Sequence, residues 1–171
     1  MRSIAMVEIL MGILSSMEKE RDFYLELNEL STRKTDIIIE KKIKDLEKIV
    51  DLEQGIIVNI GKLEADRQEL VDRLAGIKDV DPESITLSTL IEYSDGDIRD
   101  RFQTLQDDFV RIIDRQSHLN EINEKLIRTN LEYINMAINL MVGDGTSGQV
   151  YQREGRTKKG GQNRNLFDSK A

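Results

Sequence analysis

The stretch Ile98–Val142 reads IRDRFQTLQDDFVRIIDRQSHLNEINEKLIRTNLEYINMAINLMV, and its spacing decides the fold. Ile98, Phe102, Leu105, Phe109, Ile112, Gln116, Leu119, Asn123, Leu126, Asn130, Tyr133, Ala137 and Leu140 follow one another in alternating steps of four and three. Such a seam places one stripe along a helix and buries it against another helix. At about 1.5 Å per residue the helix is roughly 70 Å long. A second apolar line runs beside the seam through Ile113, Ile127, Ile134, Ile138 and Met141. In its C-terminal half the apolar face is therefore wider than a two-helix contact requires. The extra width covers either a further helix of this chain or a helix of a partner. Gln116, Asn123 and Asn130 are the polar members of the seam, and they either fix helix register or mark where the bundle opens.

Working outward, Ser94-x-x-Asp97 ahead of this helix has capping-box spacing, with Tyr93 and Ile98 placed as a hydrophobic staple. Upstream, Asp81-Pro82 cannot continue a helix, Gly76 can cap one, and a short helix is expected over 86–93. Leu46, Ile49, Ile56, Ile60, Leu63, Leu70 and Leu74 form another three–four seam, with Glu53 and Arg67 filling its two remaining positions. Met6, Leu10, Ile13, Met17, Tyr24 and Leu27 form a third stripe that steps over the polar Glu20. Glu40-Lys41-Lys42-Ile43 contains neither Gly nor Pro, but a hairpin is expected there. A single helix from the N-terminus to Ala75 would be roughly 110 Å long with nothing to pack on.

The fold class that follows is all-α: an elongated antiparallel bundle of three long helices and one short one, over about 3–39, 43–75, 86–93 and 95–142. Composition agrees. Of 171 residues, 39% are apolar and 33% charged, with one proline, no Trp and few aromatics, as expected of long amphipathic helices. After Val142 the chain changes character. Six of its eleven glycines lie in 143–171, a segment of net charge +3 that leaves −10 on the rest. That segment is expected to be a disordered basic tail, with Tyr151 and Leu166-Phe167 as apolar islands suited to docking.

Several function classes are excluded or disfavoured. There is no cysteine and a single histidine, His118, so neither a thiolate or histidine-pair metal site nor a Cys–His nucleophile can form. The carboxylates lie on helix faces, where pairs such as Glu18–Arg21 have the spacing of surface ion pairs. Gly143–Gly148 has neither the preceding strand nor the Gly-Lys-Ser/Thr ending of a phosphate loop. An acidic body argues against nucleic-acid binding. No run reaches the ~18–20 apolar residues of a membrane span. A cleaved secretory signal is not expected either, because Glu8 interrupts the run Ile4–Leu14 and helical spacing continues past it. The reading is a non-catalytic binding protein without a cofactor or metal.

Asn123-Glu124-Lys125-Leu126-Ile127-Arg128-Thr129-Asn130-Leu131-Glu132-Tyr133 is similar to the N-x-x-L-I-x-x-S-L-x-Y pattern of the FlgN family, with Asn130 in place of serine. The ending Leu166-Phe167-Asp168-Ser169-Lys170-Ala171 resembles that family's L-F-x-x-K-A. Tyr151 and Gly155 are similar to its tail Y-G-x-x-G, with Gln152 where glycine is common. Leu63-Glu64-Ala65-Asp66-Arg67 and Thr86-Leu87-Ser88-Thr89-Leu90 are similar to its L-E-x-x-R and T-L-x-x-L.

The resemblance implies a cytoplasmic chaperone that binds the hook–filament junction proteins FlgK and FlgL. It would prevent their premature assembly and deliver them to the flagellar type III export gate. Its expected client contacts are Leu126, Ile127, Leu131, Ile134, Ile138 and Met141. Tyr151 and Phe167 are the expected gate-docking residues, and the chain is expected to be monomeric or weakly self-associating. The alternatives are a structural, self-associating coiled-coil protein and an export chaperone for a different client.

Overall fold

A computed structural model describes residues 4–143. It contains α1 (Ile4–Ile39), α2 (Ile43–Lys78), a 3-10 turn (Pro82–Ser84), α3 (Leu87–Tyr93) and α4 (Gly96–Gly143), with no strand among the described residues. Contacts divide the chain after Leu131; the described part of the second unit is the C-terminal end of α4, from Glu132 on.

The hairpin between α1 and α2 forms without glycine. Lys41 takes a left-handed φ of 59°, and the amides of Glu40 and Lys42 bond back to the carbonyls of Asp36 and Ile37, satisfying carbonyls that a helix end leaves free. At its other end α2 runs through Gly76 to Lys78, three residues beyond the expected stop. Asp79, at φ 53°, is the left-handed cap and donates its amide to the Ala75 carbonyl. Asp tolerates that conformation well enough for glycine not to be needed. Asp81 then accepts from the Glu83 amide ahead of Pro82, and Thr86 with Thr89 forms a reciprocal capping box that starts α3.

The capping box expected at Ser94 does not form. Ser94 ends α3, and its fully buried hydroxyl donates to the Leu90 carbonyl at 2.6 Å. The chain turns at Gly96, whose φ of 51° opens α4.

Cross-helix contacts set the direction of each helix in the first unit. Glu20 meets Arg67 and Lys34 meets Glu53, so α1 and α2 are antiparallel. Glu18 meets Arg101, Asn28 meets Ile112 and Thr35 meets Asn123, so α4 runs alongside α1 in the same direction and antiparallel to α2. The expected pair Glu18–Arg21 does not form: Arg101 holds Glu18, and Arg21 binds Asp22 and Asp108.

The apolar interior is in two parts. The first joins Met6, Leu10, Ile13 and Met17 of α1 to Leu74 of α2, Leu90 of α3, and Phe102 and Leu105 of α4. The second joins Leu27 and Leu30 of α1 to Ile49, Ile56 and Ile60 of α2 and contains no α4 residue. Glu20, only 3% exposed, lies between them in sequence on α1 and pairs with Arg67 at 3.0 Å.

Candidate functional site

Over its middle turns, from Ile112 to Asn123, α4 is held to α1 largely by polar side chains. Asn28 donates to the Ile112 carbonyl at 3.2 Å. Ser31, 0% exposed, accepts from Gln116 at 2.8 Å and donates to Glu53. Asn123 donates to the Ser31 carbonyl at 3.0 Å and accepts from Thr35 at 2.6 Å. Two of the three polar seam residues therefore fix register, because only one alignment of α4 on α1 satisfies these groups. Asn130, the third, is half-buried. Asn28 Oδ1, Gln116 Oε1 and Glu20 Oε1 remain buried without partners. This layer costs stability to desolvate and returns only part of it. Burial raises the Glu20 carboxyl above its ordinary range; the Arg67 guanidinium opposes the shift and Glu64 adds to it.

α1 ends at Ile39, one turn past Thr35, so in this register it has no residue left opposite Leu131. The seam changes accordingly. Phe102, Leu105, Ile112 and Asn123 are buried and Leu126 is half-buried, while Ile127 and Leu131 are exposed. In the second unit Ile134 and Ile138 are each 51% exposed and Met141 78%. The helical repeat puts Leu126, Ile127 and Leu131 on one side of α4 within the first unit, and Ile134, Ile138 and Met141 on one side within the second.

Tyr133 and Leu140, read as buried seam positions, are exposed instead, Tyr133 by 68%. Met136 and Val142 are exposed on the remaining sides. The last three turns are thus apolar around most of their circumference, a pattern normally found only where a helix is enclosed. Tyr151 and Phe167 lie outside the described residues.

Among the described residues no group of acidic and histidine side chains could hold a metal. The groove between α1 and α4 lined by Arg21, Asn28, Asp108 and Arg111 is neutralised by its own ion pairs, and His118 is exposed on α4. No described helix is long and apolar enough to cross a membrane.

Comparison with known proteins agrees with the motifs. The family model described as FlgN protein matches residues 6–159. The uncharacterized protein YvyG of Bacillus subtilis (strain 168) is 25% identical over 131 residues, which is 77% of this chain and 79% of that protein. No solved structure gives a significant match. A match over nearly the whole chain, on a helical bundle with an exposed apolar helix end, settles the family: the chain belongs to the FlgN family, the chaperones of flagellar export that bind hook-associated proteins.

Proposed function

We propose that this chain is the cytoplasmic export chaperone of the hook–filament junction proteins FlgK and FlgL. It covers the apolar helical segments of those subunits, keeps them unassembled and delivers them to the flagellar type III export apparatus. The observation that carries the reading is the exposed apolar end of α4. An isolated helix of that character is unstable against association. Each Ile or Leu covered by a partner contributes about 1.5–3 kcal/mol before the costs of association. A helix-on-helix contact of this kind is reversible, as delivery requires.

Leu126, Ile127, Leu131, Ile134, Ile138 and Met141 are the client contacts in this reading. Tyr151 and Phe167, in the basic segment 143–171, dock on the export gate.

The test is a pull-down of purified FlgK and FlgL with the full chain. Ile134→Asp with Ile138→Asp should abolish capture and leave the circular dichroism spectrum unchanged. Capture at the wild-type level, or loss of the helical signal, would contradict the assignment. Tyr151→Ala should weaken capture of the gate component while client binding persists.

A further inference from the structure

One side of the bundle has a fourth helix for only part of its length. In the first apolar interior that place is taken by α3. Leu90 is buried there together with Leu74 of α2 and Phe102 of α4. Ser88 meets Gln106 of α4, Arg99 of α4 donates to the Ile91 carbonyl, and the Lys78 ammonium of α2 lies 4.3 Å from the centre of the Tyr93 ring. α3 thus lies between α2 and α4, and it is seven residues long.

The lines it covers continue past it. Steps of seven from buried Val71 back along α2 lead to Glu64, Ile57, Val50 and Ile43. Steps of seven from Gln106 along α4 lead to Ile113, Asn120 and Ile127, with Leu131 one turn further. All six of the apolar positions reached are exposed, Ile57 by 57% and Ile113 by 52%. Alongside them the second apolar interior is built from α1 and α2 without α4. Two apolar lines therefore stand on neighbouring helices with no fourth helix between them.

We infer that this vacant fourth-helix position is the second wall of the client site. An amphipathic client helix lies between α2 and α4, in line with α3, and touches Ile43, Val50 and Ile57 as well as Ile113, Ile127 and Leu131. The inference rests on the client reading above and extends it to α2. The occupant's chemistry follows from the rims. Glu47 and Glu121 are exposed beside these lines and Glu64 within the α2 line, and residues 1–142 carry a net −10. The helix that fits has an apolar stripe flanked by Lys or Arg. A docked helix covering both lines would complete a four-helix arrangement along the second half of the bundle.

The absence of cysteine allows a direct test. In the full chain, Ile57→Cys is a unique thiol on an exposed position, and its maleimide labelling rate is measured with and without saturating purified FlgK. Protection by about tenfold or more is expected, together with a loss of affinity of about tenfold for Ile57→Glu. Labelling at an unchanged rate, with Ile57→Glu binding as tightly as wild type, would overturn the inference. If Ile134→Asp with Ile138→Asp still abolishes binding in that case, the client reading stands and only the second wall is lost. If neither Ile57 nor the pair Ile134 and Ile138 matters, both fall. Should Ile57→Glu lose helical signal, the labelling rate alone decides.

Discussion

The two ends of α4 carry the same heptad and meet different fates. From Ile98 to Phe109 the seam is packed among α1, α2 and α3, and Phe102 has no exposed surface. From Leu131 to Val142 the same repeat, richer in apolar residues, is exposed. Periodicity is therefore a demand for a partner and not a report of one. The partner of the first end is written into this chain; α1 stops at Ile39, before it could supply the second. Between the two ends lies a polar layer at Asn28, Ser31, Gln116 and Asn123. It sets register and adds little stability of its own.

The contrast is tested first by truncation at each end. Phe102→Ala should cost about 3–5 kcal/mol in urea unfolding, whereas Ile138→Ala should stay within about 0.5 kcal/mol. Similar losses at both positions would mean that the distal end is packed after all. The polar layer comes next. Asn123→Ala removes a donor to the Ser31 carbonyl and an acceptor for Thr35, and should cost about 1–3 kcal/mol; a neutral result would show that register is set elsewhere.

Glu20 gives a pH signature. Its folded pKa lies above the unfolded value near 4.5, so the native state holds its proton more tightly. Its contribution is most favourable at and below pH 4.5 and declines as pH rises through the folded pKa. The stability of wild type minus that of Glu20→Gln should therefore fall across that window and level off above it. A rising difference would mean that the Arg67 attraction outweighs burial. The smallest effect is expected at the hairpin. Lys41→Gly relieves a left-handed backbone and should stabilise by about 0.5 kcal/mol; destabilisation would show that the Lys41 side chain matters more than its φ.

Much of this architecture was legible because long helices advertise themselves. Three apolar stripes with three–four spacing, one proline and a charged hairpin located every long helix to within a few residues. The end details were not legible. Gly76 and Ser94 have the right residue types for caps, but Asp79 takes the left-handed position and the Ser94 hydroxyl is drawn back to Leu90. Local chemistry allowed both outcomes, and tertiary position chose between them. Glu20, Glu53 and Arg67 were visible as polar interruptions of apolar stripes. Their cross-helix pairing required knowing the register of α1 on α2, which no single stripe contains. For the candidate site, the sequence showed an apolar face too wide for two helices. It did not show that the excess begins where α1 runs out, nor that Ile43, Val50 and Ile57 on α2 stand exposed as well.

The central claim is that the distal end of α4 waits for a partner helix, and hydrogen exchange reads it directly. Amides of residues 126–142 are followed in the full-length chain, free and saturated with FlgK. The account predicts fast exchange in the free chain, where few tertiary contacts hold these turns, and strong protection in the complex. Exchange that is equally slow in both states, or equally fast in both, would contradict it.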